Sequence, residues 1–222
     1  MMADNVEGGA QGNDKDAENI PVKCVMFGGE GAAGKTSMFI YYFHNKIKPE
    51  YVPPKVETDN GIKMYTYKET GEKVRIYYDD HEGGGEDWDS LRHLGYERAH
   101  VVVLCFSIYT TDNLERIEDY WYPFVKKYAP KAKILLCATQ IDLRTNQEEI
   151  DALARHNERL VTTIEGKQMA EKIKAVGYFE CSTHEGKGVN EVFEAAAEAT
   201  MHGKSKDDKY FERKDNKMCS MM

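Results

Sequence analysis

The stretch Gly29-Glu30-Gly31-Ala32-Ala33-Gly34-Lys35-Thr36 decides how the rest of the chain is read. It spells Gly-x-x-x-x-Gly-Lys-[Ser/Thr], the Walker A phosphate loop. Ahead of it stands a short β-rich run, Val22-Lys23-Cys24-Val25-Met26-Phe27. Behind it, Ser37-Met38-Phe39-Ile40-Tyr41-Tyr42-Phe43 has the apolar density of a buried helix. Strand, glycine turn and helix in this order are the context the motif requires. Glycines let successive N–H groups curl round a β-phosphate, and the start of the helix adds the positive end of its dipole. The expected phosphate-binding residues are therefore Gly29, Glu30, Gly31, Ala32, Ala33, Gly34, Lys35, Thr36 and Ser37. Lys35 is expected on the β- and γ-phosphates of a nucleoside triphosphate, and the Thr36 hydroxyl on Mg²⁺.

Outward from this loop, strand and helix patterns alternate. A strand runs to Gly28, a helix to about Asn45, and a proline-containing loop passes through Tyr51-Val52-Pro53-Pro54. A hairpin with arms 62–67 and 74–78 turns at 69–72. A polar, glycine-rich segment 79–85 precedes a short helix near 88–94 and the wholly apolar strand 101–106, which reads as buried on both faces. There follow a helix 114–128, a strand 134–138, a charged helix 147–155, a helix 166–173, a strand 178–181 and a final helix 189–201. Such alternation predicts an α/β fold of three layers, a mostly parallel six-stranded sheet with helices on both faces.

The chain of 222 residues suits one domain of about 150–200 residues with tails. The boundaries are read as an N-terminal extension 1–20 with almost nothing to bury, a domain 21–202, and a polar tail 203–222. Mean hydropathy is −0.65, and no apolar run approaches the roughly 18–20 residues of a membrane span. With no signal-peptide pattern at the start, a cytoplasmic protein is expected. A net charge of −8 argues against nucleic acid as the main partner, since that binding rests on a basic face. Of five cysteines, Cys24, Cys105, Cys137 and Cys181 lie in strand-like runs and read as small core residues, while Cys219 stands apart.

Open α/β sheets bind their ligands at the carboxyl ends of the strands. Two loops there suit guanine: Thr139-Gln140-Ile141-Asp142 after one strand and Ser182-Thr183 after another. An Asp142 carboxylate accepts both the N1–H and the exocyclic amine of guanine, donors that adenine lacks at that edge. Losing such charge-assisted contacts weakens binding roughly ten- to a hundredfold each, which favours GTP over ATP.

From about Pro21 to Met201 the chain resembles a Ras-superfamily small GTPase of the Rho family. Thr139-Gln140-Ile141-Asp142-Leu143-Arg144 resembles that family's guanine motif with Gln in place of Lys, and Glu180-Cys181-Ser182-Thr183 resembles its Glu-Cys-Ser-Ala motif. Glu86-Asp87-Trp88-Asp89-Ser90-Leu91-Arg92 resembles its second switch, and Trp121-Tyr122-Pro123 matches a further landmark. The charged helix 147–155 falls where Rho proteins carry an insert helix. The resemblance implies GTP or GDP with Mg²⁺, Leu143 among the base-binding residues, and a monomer that meets effectors, exchange factors and GTPase-activating proteins. It also implies signalling to the actin cytoskeleton or cell polarity.

Departures from the family pattern cluster round the γ-phosphate. In place of the first-switch threonine stand Pro53-Pro54-Lys55, with Thr58 as a replacement only in a shifted register. The Asp-x-x-Gly motif reads Asp80-His81-Glu82-Gly83, with Asp80 toward Mg²⁺, Gly83 N–H toward the γ-phosphate, and Asp79 as the alternative register. The next residue, a water-orienting glutamine in the family, is Gly84, followed by Gly85. Slow hydrolysis is expected, with Lys35 and the Gly84 position as the catalytic pair of sites. Where the family has an aromatic residue over the guanine, this chain has Ile47, so stacking is lost and release up to about tenfold faster is expected. The last four residues, Cys219-Ser220-Met221-Met222, form a C-a-a-X box whose methionine favours farnesyl on Cys219. One lipid anchors weakly, so reversible attachment to the plasma membrane or an internal membrane is expected, aided by Lys204, Lys206, Lys209, Arg213, Lys214 and Lys217.

Overall fold

In the structure, a computed structural model, residues 20–46, 60–80 and 89–201 are described. Their strands are β1 (Val22–Gly29), β2 (Asn60–Thr66), β3 (Lys73–Asp80), β4 (Val101–Ser107), β5 (Lys133–Thr139) and β6 (Gly177–Glu180). They form one six-stranded sheet in the order β2-β3-β1-β4-β5-β6. Among these strands only the β2–β3 pair is antiparallel; β1 pairs in parallel with β3 and β4, and β4–β5–β6 continue in parallel. The expected sheet is thus present, and it brings the ends of β1, β3, β5 and β6 to one edge.

Period-two alternation along the central strands divides the core into two layers. Met26, Val102, Leu104, Phe106, Ile134 and Leu136 point to one face. Val25, Phe27, Val101, Val103, Cys105, Leu135 and Cys137 point to the other. The first face is covered by α3 (Thr111–Arg116), α4 (Tyr122–Tyr128) and α6 (Thr163–Lys172); the second by α1 (Lys35–His44) and α7 (Val189–Ala199). Two further helices are α2 (Asp89–Tyr96) and α5 (Gln147–Arg155), the latter on the charged segment expected to be helical. Phe193 of α7 anchors the second layer, stacked on Tyr42 at 3.9 Å and on Phe27 at 4.7 Å between ring centroids. Cys105, Cys137 and Cys181 are buried core residues as expected, but Cys24 is only half-buried because β1 enters the sheet near its surface. Hydrogen bonds with Cys105 and Cys181, together with burial, push the Cys137 thiol well above its ordinary range.

Two helices differ from the expected spans. The capping box of Thr162 and Glu165 starts α6 at Thr163, ahead of the apolar pattern at Gly166. The expected helix 114–128 begins at Thr111 and is interrupted by a π-helical turn, Ile117–Trp121. Pro123 explains the interruption: it supplies no N–H to the preceding turn, and the wider π-turn absorbs the misfit.

At the edge where the parallel strands end, a 3₁₀ turn (Ile141–Thr145) after β5 is tied to the end of β6. Arg144 donates through both terminal nitrogens to Glu180, at 2.7 and 2.8 Å, and the Tyr178 hydroxyl donates to the same carboxylate at 2.7 Å. Burial pushes the Glu180 carboxyl up, but the hydrogen bonds from Arg144 and Tyr178 outweigh it and hold the group at about 2. A carboxylate with a depressed folded pKa contributes stability above its ordinary value near 4.5, and that contribution is lost as the pH falls toward 2. Glu180→Gln should therefore lower stability by about 1–2 kcal/mol at neutral pH. In urea titrations of both proteins, that deficit should shrink steadily between pH 4.5 and 2; a deficit independent of pH would contradict the role given to the charge.

Candidate functional site

The phosphate loop leaves β1 through a position only glycine can hold. Gly29 has φ +133°, and a Cβ there would lie 2.0 Å from the Cys105 carbonyl oxygen on β4. Ala32 (φ 61°) and Gly34 (φ 75°) are left-handed, so the chain curls between β1 and α1, and Gly34 caps the helix. Curling of this kind turns backbone N–H groups into an anion-binding concavity. No residue of the first turn of α1 is itself acidic, so the helix's own side chains do not oppose an anion at the positive end of its dipole.

Lys35 is buried, and its ammonium donates to the carbonyls of Gly29 (3.1 Å) and Glu30 (2.8 Å). The loop therefore holds its own lysine across its mouth. Thr36 donates its hydroxyl to Asp80 Oδ2 at 2.7 Å. Asp80 is buried at the end of β3, whose residues alternate between buried and half-exposed, so Asp79 points to the opposite face. Of the two registers left open by the sequence, the structure brings Asp80 to Thr36.

The second half of the site is fastened to the first. Thr139, at the end of β5, directs its hydroxyl to the carbonyls of Ala33 (2.8 Å) and Phe106 (3.1 Å). Gln140 is left-handed (φ 59°); its side-chain carbonyl accepts from Ser107 and its amide reaches the Ala32 carbonyl at 3.4 Å. Asp142 is half-exposed and accepts from the Ser182 hydroxyl at 2.5 Å, while Ser182 itself is fully buried and accepts from the Glu185 N–H. Leu143 packs its side chain on the core, and Thr183 sits half-buried beside Ser182. The loops after β1, β5 and β6 and the end of β3 thus meet at one edge.

Gly83, Gly84, Gly85, Ile47, the segment 51–59 and Cys219 lie outside the described residues. Other contributors were missed: Ser107, which orients Gln140, and Arg116 on the Glu30 carboxylate lie in no motif, while Arg144, Glu180 and Trp121 lie in motifs that do not show the pairing of Arg144 with Glu180 or of Trp121 with Glu30. For Ser107 the signal is the register of the sheet: it closes β4 directly opposite Thr139.

The sequence model of the Ras family matches residues 23–202. The GTP-binding protein RHO1 of Saccharomyces cerevisiae is 35% identical over 198 residues, covering 87% of this chain and 92% of that protein. A phosphate loop, an aspartate at the end of β3 and two base-side loops meet on one sheet edge, and nearly the whole sequence matches on both counts. The chain belongs to the Ras superfamily and, within it, to the Rho family of small GTPases.

Proposed function

We propose that the protein binds GTP and GDP together with Mg²⁺ and acts as a membrane-associated signalling switch that hydrolyses GTP slowly. The observation that carries this reading is the pair of bridges from Thr139 and Gln140 to the carbonyls of Ala33 and Ala32. They fix the base-side loop against the phosphate loop at the start of α1. The phosphate cradle is Gly29, Glu30, Gly31, Ala32, Ala33, Gly34, Lys35, Thr36 and Ser37, with Gly83 completing it; Thr139, Gln140, Asp142, Leu143, Ser182 and Thr183 form the base side. Ser182 holds Asp142 by one oxygen, which orients the carboxylate that reads guanine.

Thr36 and Asp80 fit a divalent cation: an alcohol and a buried carboxylate already in contact form a hard oxygen pair beside the helix start. A bound Mg²⁺ supplies neutralisation of phosphate charge. Lys35 exchanges its two carbonyl acceptors for phosphate oxygens. The Gly84 position offers no side chain to orient water, which is the reason to expect slow turnover. In this reading the G domain spans 21–202 between two tails, 1–20 and 203–222. Its surface meets effectors, exchange factors and GTPase-activating proteins, and it serves cytoskeletal or polarity signalling from a cytoplasmic position. Among the described residues no helix is long and apolar enough to cross a membrane, so attachment rests on a lipid at Cys219.

A second reading follows from Gly84-Gly85 and the altered first switch: a GTP-loaded platform for effectors that hydrolyses nothing. Nucleotide extracted from the purified protein and single-turnover hydrolysis separate the two. GDP with measurable turnover supports the switch; retained GTP without turnover supports the platform. In competition assays GTP should displace a bound fluorescent guanine nucleotide where ATP does not, and Asp142→Ala should weaken guanine binding by roughly ten- to a hundredfold. Equal displacement by ATP would sink both readings. Membrane attachment has its own check: Cys219→Ser should move the protein from the membrane fraction to the soluble one, and unchanged fractionation would remove lipidation from the proposal.

A further inference from the structure

The phosphate loop carries one acidic side chain, Glu30, in a place built to hold several negative charges. Its carboxylate is engaged elsewhere. Oε1 accepts from Arg116 Nε at 2.9 Å and from Trp121 Nε1 at 3.0 Å. Arg116 closes α3 and Trp121 closes the π-turn, five positions later. In an α-helix two such residues point about 140° apart and could not reach one oxygen together. The π-turn, with its Tyr122 N–H bonded back to the Ile117 carbonyl, brings positions five apart onto one face. Trp121 is buried and fixed in the core, whereas the Arg116 side chain is half-exposed and rests on the Tyr120 ring, 4.9 Å from its centroid.

The geometry points to Arg116 and Trp121 as positioning residues for the nucleotide. Together they turn the Glu30 carboxylate toward the helix, cancel its charge and hold the backbone whose carbonyls seat Lys35. The Glu30 main chain accepts from the Lys35 ammonium while its side chain is tethered to the π-turn, so one residue links lysine, loop and helix. Released from Arg116, the same carboxylate adds a repulsive charge beside the phosphates, and a triphosphate feels it more than a diphosphate does. This inference rests on the phosphate-binding reading above.

A double-mutant cycle on the full-length protein tests it, with fluorescent mant-GDP and a non-hydrolysable mant-GTP analogue as probes. Arg116→Ala should weaken the triphosphate probe about three- to fivefold at low salt, and the diphosphate probe less. The loss should shrink at high salt. Arg116→Lys should restore most of it, because the charge returns. Glu30→Gln alone should tighten the triphosphate probe about two- to threefold, and in that background Arg116→Ala should cost nothing further. Trp121→Phe, which keeps an aromatic ring but loses the N–H donor, should weaken the triphosphate probe less than Arg116→Ala and without its salt dependence; if it fails to fold, the half-exposed Arg116 carries the cycle alone. For Arg116→Ala, equal loss for both probes, a loss insensitive to salt, or a full loss in the Glu30→Gln background would overturn the proposal while leaving nucleotide binding intact. A wild-type protein that binds neither probe would overturn both this inference and the reading beneath it.

Discussion

The site depends on one close approach: the backbone of Gly29 passes so near the Cys105 carbonyl that no side chain fits between β1 and β4. In register, Gly29 lies opposite Cys105 at the last step of the β1–β4 ladder. A Cβ there would push the strands apart where the chain must leave the sheet and curl. With that contact in place, α1 starts directly above the central strand, and its first turn lies at the edge where β3, β5 and β6 also end. Lys35, Thr36 and Asp80 then converge with no irregularity in the strands themselves.

Two elements keep the edge rigid. On the base side, the Arg144–Glu180 clamp joins the turn after β5 to the end of β6, so Asp142 and Ser182 meet across loops far apart in sequence. On the phosphate side, Ser107 and Thr139 pair in register, and their side chains direct Gln140 and the Ala33 carbonyl. Each anchor is a residue at a strand end whose side chain reaches into a neighbouring loop. This is how a sheet with a buried, featureless interior gives accurate placement to the loops at its rim.

The sheet and its helices were legible because strands buried on both faces and amphipathic helices leave a local periodic trace, and the phosphate loop because its chemistry is contiguous. The π-turn left only one trace: Pro123, inside the expected helix 114–128, says that the α-helical pattern is disturbed but not that a π-turn absorbs the disturbance. The start of α6 is written in Thr162 and Glu165 and not in any apolar residue, so hydrophobic periodicity alone places it too late. Pairings such as Arg116 with Glu30, separated by 86 positions, leave no spacing in the chain, because a charge on a helix reads the same whether it meets solvent or a loop. The sequence therefore names candidate ligand groups through contiguous motifs, and it leaves unmarked the distant pairings that orient them.

Those orienting groups bear on the difference between gripping a triphosphate and cleaving it. Binding needs fixed positive charge and N–H groups, and the described residues supply both through Lys35, the start of α1 and a loop whose only carboxylate is drawn aside. Cleavage needs in addition a group that places water in line with the γ-phosphate. The side chains that meet at the described edge are engaged in other contacts. Thr36 and Asp80 bond each other, Lys35 spans the loop, and Gln140 is spent on Ser107 and Ala32. Interactions of equal strength in the ground state and the transition state do not lower the barrier, so grip on the phosphates is no substitute for a group that places water. Gripping and cleaving are thus separate demands on the same edge, and the contacts among Lys35, Thr36, Asp80 and Gln140 bear on the first.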